Sequence, residues 1–273
     1  MRGWRYVRAM IDMLLPRTCI VCGRKLNIYE KHLCLHCASD LPLTRFGLMS
    51  HNPMADKFNE AIQNGLEDSW RQEAYAFASA LFFYEEESGY RHIPHQIKYQ
   101  GNILAGRYFG RMLGRELMSA DWTSDVDMVI PVPLHWKRRW SRGYNQAEII
   151  AEGVAAELGV PMRTDILKRV RKTQTQTKLE VSEKSVNVAG AFLVSQSAVC
   201  SGGVSDSARH NGSDNCDRPT ATMVHAKHTR HILLVDDVFT TGSTLYACFL
   251  ALRTVFPPSV RISVATLAFV GEA

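Results

Sequence analysis

Residues Ile232-Leu233-Leu234-Val235-Asp236-Asp237-Val238-Phe239-Thr240-Thr241-Gly242-Ser243-Thr244 decide the fold. Four consecutive large aliphatic residues suit a strand buried on both faces, which is the mark of a parallel sheet. The acidic pair falls at the end of that run, and a short turn of small and hydroxylated residues leads into a helix over Ser243 to Val255, with Leu245, Phe249 and Leu252 facing inward. Such a turn presents backbone N–H groups and a helix N-terminus to a phosphate, and Gly242 allows close approach. Asp236 and Asp237 can accept hydrogen bonds from vicinal sugar hydroxyls or bear on a magnesium ion, so the stretch fits a sugar phosphate. A Walker loop is excluded because no lysine follows Gly242 in a G-K-[ST] arrangement.

Outward from this stretch the chain alternates strand and helix signals from about residue 76, the pattern of an α/β domain with a mostly parallel sheet and flanking helices. Asp127 to Val132, Ala191 to Val194 and Ile262 to Phe269 read as further strands. Ile103 to Met118 repeats apolar residues at helical spacing. So does Asn145 to Leu158, with Asn145 and Glu148 as a capping pair and Gly159 closing the end. Residues 43–75 are mixed and polar and give no clear element. From Ser195 to Thr229 the chain is rich in Ser, Gly, Asp, Asn and His, and it reads as a flexible insertion 195–229 within a domain spanning 76–273.

The N-terminal 1–45 segment is a different unit. Cys19, Cys22, Cys34 and Cys37 form two C-x-x-C pairs separated by 11 residues, while the other three of the seven cysteines stand alone. Four thiolates at about 2.3 Å satisfy tetrahedral zinc, and four protein ligands leave no open position, so a structural Zn2+ site is expected. His32 and His36 flank Cys34 as alternative ligands, though the paired spacing favours four sulfurs. Ahead of the cysteines, Trp4, Val7, Ile11 and Leu14 share one helical face opposite Arg2, Arg5 and Arg8. This predicts an amphipathic helix, packed on the protein or touching a membrane surface.

With 46% apolar and 22% charged residues the chain can build a packed core, and a net charge of +5 is mildly basic. No apolar run reaches the length of a membrane span and no cleavage signal follows the first apolar stretch, so a cytoplasmic location is expected. Lys137, Arg138, Arg139 and Arg142, interleaved with Trp136, Trp140 and Tyr144, occupy the connection between the strand at Val132 and the helix at Asn145. They can grip pyrophosphate, track a nucleic-acid backbone while bases stack, or form a solvated turn. A second basic stretch runs from Lys168 to Lys184.

The strand-turn-helix stretch resembles the signature of type I phosphoribosyltransferases, which bind 5-phosphoribosyl-1-pyrophosphate with Mg2+. The resemblance implies that Asp236 and Asp237 hold the ribose and that Thr240, Thr241, Gly242, Ser243 and Thr244 hold the 5-phosphate. Ser243 stands where many members have a second glycine, and Thr240 stands where purine-salvage members have aspartate, which argues against that role. More widely, the chain resembles the ComF family, with an N-terminal zinc ribbon and a phosphoribosyltransferase-like domain. The matching pieces are Leu14 to Cys19, both cysteine pairs, Gln96-Ile97-Lys98-Tyr99, Val132-Pro133-Leu134, Arg142-Gly143-Tyr144-Asn145-Gln146, Asn187 to Phe192 and the Asp236-Asp237 turn. Lys184 replaces the family's usual arginine. The resemblance implies a part in DNA uptake or utilisation, with DNA-uptake proteins and single-stranded DNA as partners. It leaves open whether the domain is a phosphoribosyltransferase of unknown acceptor or a non-catalytic module that senses a nucleotide. A glutaminase half is not expected, because no N-terminal cysteine nucleophile is present.

Overall fold

The computed structural model describes residues 16–65, 73–170, 190–200, 224–225 and 228–271. The amphipathic segment at 1–15, the basic stretch beyond residue 170 and the middle of the insertion lie outside the described residues. Strands β1 (Ala78–Phe83), β2 (Met128–Pro131), β7 (His231–Phe239) and β8 (Arg261–Phe269) form one sheet in the order β1-β8-β7-β2, and every pairing is parallel. Among the described residues there are two further short ribbons: β3 (Leu167–Arg169) runs antiparallel to β4 (Phe192–Val194), and β5 (Val199–Cys200) runs parallel to β6 (Val224–His225). Ala198 and Val199 are buried in the main core. The first residues assigned by sequence to the insertion therefore still belong to the packed fold.

Alternation along β7 sends successive side chains to opposite faces of the sheet, as a strand must. Ile232 and Leu234 join an apolar cluster with α2 (Pro53–Asn64) and α7 (Ser243–Arg253), through Phe58, Ile62, Leu245 and Phe249. Leu233 and Val235 join the opposite cluster with α4 (Ile103–Met118) and α6 (Gln146–Leu158), through Phe109, Leu113, Ile150 and Val154. The second cluster continues without a break into Cys19, Leu26, Leu33 and Leu41, so the cysteine segment is docked on the domain. Its exit strip closes one side of the sheet: the Phe83 N–H donates to the Pro42 carbonyl at 2.9 Å and the Thr44 N–H to the Leu81 carbonyl at 3.2 Å. On the other side, β2 is covered by residues 161–163, where the Val129 N–H donates to the Pro161 carbonyl at 3.0 Å.

Three expectations change in detail. Helix α2 falls in the stretch that gave no clear element, although its start is well specified: the Asn52 side chain accepts from the Ala55 N–H and Pro53 opens the first turn. The basic connection contains a short helix, α5 (Trp136–Arg142), capped by His135 and ended by Gly143 at φ 79°. Asn145 caps α6 as expected, but Glu148 pairs with Arg139 at 2.9 Å, outside the capping arrangement.

Helices α4 and α6 lie unusually close, and glycine is the reason. A Cβ on Gly110 would stand 2.4 Å from the Ile150 carbonyl oxygen, and one on Gly153 would stand 2.7 Å from the Gly110 carbonyl carbon. Neither backbone can retreat without losing the layer beneath it. Gly110→Ala is expected to destabilise the fold by about 1 to 3 kcal/mol, read from chemical denaturation. A second prediction comes from His231, which is 1% exposed and has its Nε2 2.8 Å from the Ser263 hydroxyl. Burial and the nearby Arg261 push its pKa down from 6.5 to about 4. The unfolded chain therefore takes up this proton first, and the stability present above pH 6.5 is lost as pH falls from 6.5 towards 4. The loss amounts to up to about 3 kcal/mol, and His231→Gln should flatten this part of the stability profile.

Candidate functional site

The site forms where the sheet narrows. Strand β2 stops at Pro131, opposite Val235, and the Val132 N–H donates to the Val235 carbonyl at 2.9 Å. Strand β7 continues to Phe239 beside β8, so Asp236 and Asp237 stand past the end of β2 on the carboxyl edge of the sheet. Open parallel sheets bind ligands at this kind of crevice. The turn Thr240–Gly242 follows at once, with Thr240 and Thr241 exposed. Gly242 has φ +74°, and a Cβ there would lie 2.7 Å from the Phe239 ring, so glycine is required twice over. Helix α7 starts at Ser243 with no side-chain cap, and the Thr241 and Ser243 hydroxyls lie 2.8 Å apart. The five residues expected to hold a phosphate are thus gathered at one helix start beside the acidic pair.

The carboxylates are not equivalent. Asp237 is buried and its Oδ2 lies 2.9 Å from the Lys98 ammonium, which arrives at the end of α3 (His92–Tyr99). The Asp237 N–H donates to Asp236 Oδ1 at 2.8 Å. Desolvation first, and the Asp237 charge second, push the Asp236 pKa up to about 7, against the opposing influence of Lys98 and Arg169. Burial works against the Lys98 charge, but Asp237 and then Asp236 outweigh it and raise its pKa. Cys248 lies under this corner, and burial drives its thiol pKa well up, with Asp236 adding to the effect. Its sulfur is also fully buried, away from any incoming reactant. No role follows for Lys98 from the residue pattern itself; only its contact with Asp237 brings it into the site.

A cavity of about 950 Å³ opens next to the acids, with Lys98, Lys137, Arg138 and Arg142 among its lining, together with Tyr99 and Tyr144. The Arg142 guanidinium stacks over the Tyr99 ring at 5.0 Å, and the Tyr144 hydroxyl donates to the Ile97 carbonyl. Three of the four expected cations therefore converge, but Arg139 does not join them. It turns to Glu148 and borders a separate notch between Trp136 and Trp140, which are 62% and 89% exposed. Four cations lining one hollow favour an anion of more than one charge.

The cysteine cluster assembles as its spacing predicts. One sulfur from each of Cys19, Cys22, Cys34 and Cys37 lies within 4.8 Å of every other, and the Cys22 and Cys34 sulfurs are 3.7 Å apart. A tetrahedral site with metal–sulfur bonds of about 2.3 Å places its sulfurs about 3.8 Å apart, so this donor set fits a structural metal ion. Burial raises the Cys19 pKa, but backbone hydrogen bonds from Cys22, Cys34 and Val21 outweigh it and bring the value to about 7. Burial and hydrogen bonds among the neighbouring thiols push Cys37 the other way. The two histidines are otherwise engaged: His36 lies 3.4 Å from Asp40, and His32 packs on the Tyr108 ring.

No family model matches the chain. It is similar to competence protein F of Haemophilus influenzae, with 30% identity over 153 residues covering 55% of this chain and 56% of that protein. It is also similar to the DNA utilization protein YhgH of Salmonella typhi, 27% identical over 156 residues covering 56% of each chain. The YhgH of Escherichia coli strain K12 is 26% identical over 154 residues, 55% of each chain. The chain spans about half the length of the curated relatives it matches.

Proposed function

We propose that this chain, which belongs to the ComF family, binds 5-phosphoribosyl-1-pyrophosphate or a related nucleotide at the carboxyl edge of its sheet and serves DNA utilisation. The observation that carries the reading is the junction at Asp237. On one side of it lie the acidic pair and the uncapped, hydroxyl-ringed start of α7, and on the other lies a cavity lined by four cations. A ribose 5-phosphate that carries a second anionic group has the matching parts. Its 5-phosphate caps the helix through N–H groups and the Thr240, Thr241, Ser243 and Thr244 hydroxyls. Its vicinal hydroxyls donate to Asp236 and Asp237, and its diphosphate enters the cavity lined by Lys137, Arg138 and Arg142. Mg2+ accompanies the diphosphate and offsets its charge. The names of the relatives supply the DNA connection.

As a transferase, the domain would stabilise departing pyrophosphate with the cavity cations while an acceptor attacks the anomeric carbon. As a binding module, it would hold the ligand without turnover. Steady release of pyrophosphate with a nucleobase assigns the first, and tight binding with no release assigns the second. A role in single-stranded DNA contact rests on a separate observation: Trp136 and Trp140 are exposed on a short helix that also carries Lys137, Arg138 and Arg139, which is the pairing of stacking surface and cation that single strands use.

Four results are expected. Calorimetry with phosphoribosyl pyrophosphate and Mg2+ should show binding that weakens about 100-fold or more in Asp236→Ala/Asp237→Ala. Affinity should rise from pH 6 to pH 8 as Asp236 ionises; equal binding by the double variant removes the reading. Single-stranded DNA should bind more weakly as salt rises, and neutralising Arg138, Arg139 and Arg142 together should reduce both the affinity and its salt slope. Purified protein should carry about one equivalent of zinc in a four-sulfur shell by X-ray absorption, and an iron-loaded or two-sulfur shell would reject a structural zinc ribbon.

A further inference from the structure

The turn Gly89–Arg91 that leads directly into α3 meets the cysteine segment, and the far end of α3 meets the acidic pair, which is the basis of the inference. At the near end, the Tyr90 hydroxyl donates to the Cys37 carbonyl at 3.0 Å. Gly89 is pressed so tightly against the cysteine segment that a Cβ there would stand 2.9 Å from the Val21 carbonyl oxygen. Ile93 and Ile97, both essentially unexposed, belong to the same apolar cluster as Cys19, Leu33 and Cys34. At the far end, the next residue is Lys98, whose ammonium meets Asp237 at 2.9 Å and also lines the cationic cavity. Eight residues of helix span about 12 Å and act as a stiff rod over that distance.

We propose that the four-cysteine module is a positioning element for Lys98, setting through α3 where that ammonium stands between Asp237 and the cavity. A segment of this size has too little core to hold its shape unless its four sulfurs are tied together by a metal. Its grip on Tyr90 and Gly89 therefore depends on metal occupancy. When the module loosens, the first turn of α3 loses its seat, and an ion pair with hydrogen-bond geometry at the other end does not survive a displacement of about 1 Å or more. Lys98 matters because it is the cation shared by both halves of the site. It holds Asp237 when no ligand is bound, and it is placed to move onto an incoming anion and release that carboxylate. The ligand half of this idea rests on the function proposed above. The positional half does not, since Lys98 can be followed with no ligand present.

The test is pulsed acetylation of the full chain, read by mass spectrometry at Lys98, with Lys57 and Lys137 as internal references. Metal-loaded protein is compared with chelated protein and with Tyr90→Phe and Gly89→Val, two variants that retain all four cysteines. Lys98 is expected to be protected in loaded protein and labelled about five-fold faster after chelation, with the references changed less than about two-fold and protection restored by returning zinc. Tyr90→Phe and Gly89→Val should raise Lys98 labelling with metal content unchanged, and they decide the matter if chelation unfolds the protein by circular dichroism. Unchanged Lys98 labelling in folded, metal-loaded variants, or equal acceleration at all three lysines, overturns the proposal. Phosphoribosyl pyrophosphate titrations of the same variants form a separate arm: absence of binding in the natural protein would sink the preceding reading, while the labelling result would still judge the module's role.

Discussion

The pairing of β2 with β7 ends early, and the rest of the candidate site depends on that end. Had β2 continued beyond Pro131, the backbone beside Asp236 and Asp237 would face another strand and the crevice would be filled. Because β2 stops there while β7 runs to Phe239 alongside β8, two acidic residues are held rigidly by one neighbour and left open on the other side. Regular backbone pairing on one flank gives positional precision, and its absence on the other gives access.

Charge at this corner is mixed. A pocket for a simple anion would gather cations and exclude acids, yet here Lys98 joins an acidic pair to a cationic cavity within a single contact. Such an arrangement matches the ligand proposed above part by part, hydroxyls beside the acids and anionic groups beside the cations. The raised pKa of Asp236 has the same origin: burial first, and the neighbouring Asp237 charge second, disfavour its charged form.

Much of this could be read before any coordinates. The β7 stretch, the helices at Ile103–Met118 and Gln146–Leu158 and the four cysteines announce themselves through local pattern, because burial on both faces, helical periodicity and metal spacing each leave a periodic trace. Helix α2 escapes such a reading although Asn52 and Pro53 mark its start, because its polar exposed face hides the apolar spacing of Met54, Phe58 and Ile62. Other features have no local trace. That Arg139 turns away while Arg138 and Arg142 line the cavity depends on which face of α5 meets the domain. Lys98 reaches Asp237 from 139 positions earlier in the sequence, and nothing near either residue signals the other. The docking of the cysteine segment is likewise a matter of which apolar side chains, Leu26, Leu33 and Leu41, find the α4 side of the sheet.

The strips at residues 42–44 and 161–163 lie along the two outer strands of the main sheet and take up hydrogen bonds on each. Among the described residues, both outer strands of the main sheet thereby carry a cover of the chain's own backbone along part of their length, which shortens the ladder onto which a foreign strand could zip. Covered borders of this kind spare the main sheet the fibrous misassembly that bare strand edges invite.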